Sequence, residues 1–211
     1  MQYFSKIKLW VPIAVAALFW FFMFSPWTAG MTNFWITMTV AAVCLTSMTL
    51  LLQHDTLKMV VNQISWKQVL GGFALAALLW GVFWIGDRVS SFLFDFARGQ
   101  VDSIYGMKQG LPAWVIAVLL ILIIGPAEEL FWRGFVQRRL SAQWGKDVGL
   151  VVATAIYTLI HIWSFNFMLV MAALVCGVIW GGLYRLQPKW LPALVVSHAV
   201  WDACVFVVFP I

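Results

Sequence analysis

The chain is poor in acid. It has two glutamates, Glu128 and Glu129, and they are adjacent; six aspartates complete its eight acidic residues. Charged residues of both signs make up only 10% of the sequence, and hydrophobic residues 64%. Soluble domains run near 25% and 45–50%, so an ordinary soluble globule is excluded. The apolar runs are continuous. They lack the alternation over about ten residues that a membrane β-barrel needs. Cysteine is scarce too. Cys44, Cys176 and Cys204 all lie in apolar runs, and their odd number and setting argue against a disulfide framework. There is no internal repeat and no low-complexity linker. The N-terminal apolar run is long and lacks a clear small-residue cleavage site, so it reads as a retained helix. The net charge of +5 does not point to nucleic acid, because the basic residues sit in loops beside apolar runs.

What is present is a set of membrane spans. A helix needs about 20 apolar residues to cross the hydrocarbon core. Seven runs qualify, near 9–27, 33–52, 69–86, 112–137, 148–165, 168–186 and 190–209. The third is short. Segment 88–107 interleaves Phe92, Leu93, Phe94 and Phe96 with Arg88, Asp95, Arg98 and Asp102. It is too polar to span and predicts an interfacial amphipathic helix or a re-entrant cap. The expected fold is an all-α, polytopic transmembrane helical bundle forming one membrane domain over 1–211. Residues 1–110 carry no motif, and 111–211 carry the candidate catalytic core. Of the fourteen tryptophans, Trp66, Trp144, Trp163 and Trp190 fall near span ends, where aromatic belts form. Trp80 and Trp132 read as packing residues.

Polar groups at membrane depth then stand out. A carboxylate there costs roughly 2.5–3.5 kcal/mol even on lenient insertion scales. Three pieces carry such groups. The first is Glu128-Glu129-Leu130-Phe131-Trp132-Arg133, preceded by Gly125-Pro126. Proline is tolerated in the first turn of a helix, so this pair is expected to interrupt one helix and restart another. Arg133 lies four residues after Glu129, on the same face, and can pair with it. The second piece is Tyr157-Thr158-Leu159-Ile160-His161, and the third is His198-Ala199-Val200-Trp201-Asp202. Each places its first and last residue on one helix face. Asp202 is expected to orient His198, as supporting carboxylates do. Taken singly, each piece could be structural: a brace at a kink, or a polar clamp between helices. Depth links them. At about 1.5 Å per residue, Glu128 lies roughly 15 Å from the basic end of its span and His161 roughly 20 Å from its own. His198 and Asp202 lie roughly 12 and 18 Å in. One shared site explains that coincidence better than three separate clamps.

Other protease signatures are missing. There is no His-Glu-x-x-His segment and no Gly-x-Ser-x-Gly elbow. Gly86-Asp87 is preceded at position 84 by Trp84 rather than by the glycine of an aspartyl-protease motif.

Glu-Glu-x-x-x-Arg, aromatic-x-x-x-His and His-x-x-x-Asp, in that order on successive spans, resemble the CPBP family of CAAX proteases and bacteriocin-processing enzymes, also called Abi-type membrane proteases. The resemblance covers roughly residues 112–209. Tyr157 stands where the family usually has Phe, and Asp202 where Asn is common. The resemblance implies a helical membrane fold and a peptidase whose site residues are Glu128, Glu129, Arg133, His161, His198 and Asp202. It does not imply the prenylated substrate of the CAAX endopeptidases.

The local chemistry agrees on hydrolysis without a covalent enzyme intermediate. Glu128 is the expected general base, acting on a water held with His161. Arg133 neutralises Glu129. His198 and Asp202 either donate to the oxyanion or help hold a metal. Glu128, His161 and His198 form a candidate ligand set for zinc or another divalent ion, with water in the fourth position. The expected partners are a peptide or protein substrate and the lipid bilayer, with no nucleic acid. Two rival classes share some features. Intramembrane acids and a broken helix also occur in transporters, and Gly177-x-x-x-Gly181 would suit a scaffold that binds partner helices.

Basic residues predict the orientation. With the N-terminus inside, the cytoplasmic face receives Lys6, Lys8, Lys58, Lys67, Arg138, Arg139, Lys146, Arg185 and Lys189, and the other face Arg88, Arg98 and Lys108. The bias favours a cytoplasmic N-terminus and an external C-terminus. A topology reporter fused after Ile211 is expected to read external; a cytoplasmic reading would overturn the assignment.

Overall fold

The structure is a computed structural model. It describes the backbone of residues 2–211 and side chains from Leu9 onwards; the side chains of Lys6 and Lys8, used in the charge count, lie outside the described residues. Nine helices carry the account: α1 (Gln2–Phe24), α2 (Phe34–Leu52), α3 (Asp55–Gln63), α4 (Trp66–Leu93), α5 (Ala97–Gly106), α6 (Ala113–Trp144), α7 (Lys146–Ser164), α8 (Phe167–Leu186) and α9 (Pro188–Val208). No strand occurs among the described residues. Among the described residues six helices are long and apolar enough to cross a membrane: α2, α4, α6, α7, α8 and α9; Leu9–Phe24 of α1 is a shorter apolar helix. The chain is thus an all-α, multi-pass membrane bundle. Trp66 (69% exposed) and Trp190 (45%) lie on its surface near helix ends, as belt residues do, whereas Trp132 (2%) is packed inside.

The third span departs from expectation. α4 runs 28 residues, about 42 Å of helix, longer than a hydrocarbon core of about 30 Å. Residues 88–93 continue this helix, and Ala97–Gly106 forms a separate short helix. The polar end of α4 is accommodated because α5 folds back on it: Arg98 of α5 bonds Asp87 of α4 at 3.2 Å and Asp102 at 2.7 Å. Exposed in the turn between them, Phe94 and Phe96 stack on each other and pack on Phe167 at the start of α8.

Glycines set the closest helix contacts. A Cβ on Gly72 of α4 would meet Val196 at 2.6 Å, and one on Gly125 of α6 would meet the Ala199 backbone of α9 at 2.7 Å. Both approaches bring helices against α9, the helix that carries His198. Gly177 and Gly181 of α8 pack on Thr154 and Leu150 of α7. That motif is therefore used within the chain, and its value as evidence for a partner-binding scaffold falls away.

Gly125→Ala must push α6 off α9 by displacing backbone. It is expected to lower thermal stability and the function of the site on α9 together. Gly81→Ala meets nothing within 4 Å and should change neither. Parallel thermal unfolding of the two variants checks this, and a neutral Gly125→Ala would contradict the packing.

Candidate active site

The helix carrying the glutamates does not break at Gly125-Pro126. It continues through two wide turns with i to i−5 hydrogen bonding, Leu120–Ile124 and Trp132–Gln137. Pro126 has no N–H to donate. The N–H of Gly125 reaches back to Leu120 O, and an ordinary helical stretch, Gly125–Phe131, resumes. The expected interruption is thus an over-wide turn, and such turns gather at functional sites. Glu128 and Glu129 lie between the two. The second wide turn leaves the Gly134 carbonyl for Gln53, whose amide donates to it at 2.9 Å. This ties α6 to the α2–α3 junction.

The two glutamates diverge, as residues about 100° apart on a helix must. Glu129 is fully buried. Its Oε1 accepts from Arg133 Nη1 at 2.7 Å and from His198 Nδ1 at 2.8 Å, so α6 and α9 share one carboxylate oxygen. Arg133 is satisfied further. Its guanidinium lies over the rings of Tyr157, at 5.0 Å, and Trp180, at 5.5 Å, and its Nη2 donates to Cys176 O at 3.4 Å. Glu128 instead lines a cavity of about 590 Å³ together with His161, His198 and Asp202; neither Glu129 nor Arg133 reaches its wall. The rest of that wall is mostly apolar, with Phe24, Phe34, Met38, Phe83 and Phe167 among its residues. All three sequence pieces therefore meet in one place, with Glu128 facing the cavity and the Glu129–Arg133 pair behind it.

His198 is held more tightly by Glu129 than by Asp202. Its Nε2 lies 3.4 Å from Asp202 Oδ2, against 2.8 Å between Nδ1 and Glu129. The orienting partner expected from i,i+4 spacing is present but is the longer contact. The Trp180 ring stacks on the imidazole at 4.0 Å with 20° between planes.

His161 ends α7's regular turns, and both its ring nitrogens are engaged. Nδ1 meets the Tyr157 carbonyl at 2.7 Å, one turn back. A carbonyl only accepts, so Nδ1 carries the hydrogen and Nε2 is left as acceptor. The Trp20 indole N–H donates to Nε2 at 2.9 Å. Trp20 and Trp180 are site residues that spacing did not reveal. Trp20 lies 141 positions from its partner. The one available signal was that both are tryptophans deep within apolar runs, away from the span ends where belts form.

Among the described residues no three His, Cys, Asp or Glu side chains converge as ligands do. Of the expected set Glu128, His161 and His198, His198 bonds Glu129 through Nδ1, the arrangement that leaves Nε2 as the ligating nitrogen, and His161 Nε2 accepts from Trp20.

No curated protein and no solved structure gives a significant match to the chain. One family model does match, over residues 109–204: the Rce1-like type II CAAX prenyl endopeptidases. The matched stretch runs from just before α6 to the end of the regular part of α9, and so contains all three motifs. Residues 109–204 of this membrane-embedded chain are thus similar to the Rce1-like type II CAAX prenyl endopeptidases.

Proposed function

We propose that the protein is an intramembrane peptidase that hydrolyses a peptide bond in a membrane-associated substrate, either a lipidated peptide or a leader peptide. The observation that carries this reading is the shared cavity, lined by two carboxylates, Glu128 and Asp202, and two imidazoles, His161 and His198, among mostly apolar residues. The family match of residues 109–204 supports the same reaction class.

In this reading Glu128 takes a proton from water, and the hydroxide attacks the scissile carbonyl. His161 helps hold that water through Nε2, which the water takes over from the Trp20 N–H. The carbonyl oxygen becomes an oxyanion. His198 donates to it from its cavity side as an imidazolium, balanced by Glu129 on one nitrogen and Asp202 near the other. Collapse of the tetrahedral intermediate breaks the C–N bond, and Glu128 returns its proton to the leaving amine. Arg133 holds Glu129 in place. The apolar walls accept hydrocarbon, so a lipid-modified or hydrophobic segment enters from the bilayer or the bundle end. The protein sits with its N-terminus cytoplasmic and its C-terminus external.

Glu128 and Glu129 have different jobs and should fail differently. Glu128→Gln is expected to stay folded and to lose hydrolysis by about 10²–10⁴-fold, the usual contribution of a general base. Glu129→Gln strands Arg133 in a buried site. Breaking such a pair typically costs about 3–5 kcal/mol, so stability and activity should both fall. The measurement is parallel thermal unfolding and cleavage of a fluorogenic farnesylated peptide and of a hydrophobic leader peptide. Cleavage near the wild-type rate by folded Glu128→Gln would remove Glu128 as the base.

A further inference from the structure

Trp180 touches both donors that share the Glu129 carboxylate. Its ring is parallel to the His198 imidazole, and the Arg133 guanidinium lies over the same ring system. The indole is fully buried yet forms part of the cavity wall. Its position is fixed from several sides. Its Nε1 donates to Ser197 Oγ at 3.1 Å, one residue before His198 on α9. The backbone of α8 on either side of it is tied to α6: Arg133 donates to Cys176 O, and Gln137 donates to Gly181 O at 2.8 Å.

This arrangement has an electrostatic and a geometric consequence. The face of an indole carries negative potential and attracts cations. Arg133 and the His198 imidazolium of the proposed reaction are two cationic donors to one oxygen of one carboxylate, and the ring face offsets part of their mutual repulsion. The parallel stack also restrains rotation of the imidazole plane. Rotation about Cβ–Cγ would break the stack and carry Nδ1 away from Glu129 and Nε2 away from Asp202.

We propose that Trp180 is a positioning residue for hydrolysis: its indole face holds the His198 imidazole with Nδ1 on Glu129 and Nε2 towards Asp202 at the cavity. The proposal rests on the hydrolytic reading above. It is more specific than packing, because packing needs only volume whereas positioning needs an aromatic face in a fixed rotation.

The test compares full-length wild type with Trp180→Leu, Trp180→Phe and Ser197→Ala, reading kcat, KM and thermal stability with the fluorogenic farnesylated peptide. Leu removes the π face and keeps an apolar side chain. Phe keeps the face. Ala at 197 removes only the hydrogen bond that fixes the indole. Trp180→Leu is expected to lose kcat by about tenfold, the scale of a desolvated cation–π contact, with KM little changed. Trp180→Phe should recover most of that loss, and Ser197→Ala should lose kcat by a few-fold at near-wild-type stability. Should Trp180→Leu fail to fold, the Phe and Ser197 variants carry the test, and a wild-type kcat in Ser197→Ala together with a kcat loss in folded Trp180→Phe beyond tenfold overturns the proposal. So does a folded Trp180→Leu with wild-type kcat, or a loss confined to KM. Absence of cleavage by the wild type is a separate outcome: it sinks the hydrolytic reading, and this proposal with it.

Discussion

The structure turns on one carboxylate oxygen. Glu129 Oε1 accepts from Arg133 on its own helix and from His198 on α9, in a bundle whose interior offers few other polar partners. An ion this deep is tolerated only with close partners. Each of the three groups is therefore conditional on the other two. Arg133 adds contacts with two aromatic faces and one carbonyl, which spread its charge over α7 and α8. The site is in this sense a junction of four helices held by charge, with Glu128 left over on the cavity side.

The backbone supplies what that junction needs. Gly125 permits α6 to approach α9 closely enough for its backbone to touch Ala199. One turn later, Glu129 meets His198. The wide turn before Pro126 absorbs the missing N–H without a break in the helix, so the carboxylates sit on a stiff, continuous element. A rigid first layer with fixed partners is what preorganised chemistry requires. The cavity then places apolar walls beside Glu128, Asp202 and the two imidazoles.

Much of this was legible in the sequence, for physical reasons. A span needs about 20 apolar residues, and the seven runs all fold as helices. The i,i+4 spacing of Glu129 and Arg133, and of His198 and Asp202, follows from helix geometry and holds in the structure. Segment 88–107 misled because polarity was read as the end of a span; Asp87 and Arg98 are instead partners across two helices, and α4 runs past the apolar stretch. The pairing of Trp20 with His161 was not legible, since no local rule connects residues 141 positions apart. Nor was the division of His198 between Glu129 and Asp202. Spacing finds the neighbour on the same helix, while the shorter contact comes from another one. Pro126 did mark a departure from regular helix, but whether the chain breaks or widens there depends on the packing around it.

A double-mutant cycle on Glu129 and His198 tests the shared carboxylate most directly. Unfolding free energies would be measured for wild type, Glu129→Gln, His198→Gln and the double variant under one membrane-mimetic condition. A hydrogen-bonded buried pair predicts a coupling energy of about 1–3 kcal/mol, because the second substitution removes a group already without its partner. Effects that add to within about 0.5 kcal/mol would mean that the two side chains do not share the interaction, and the junction described here would be wrong.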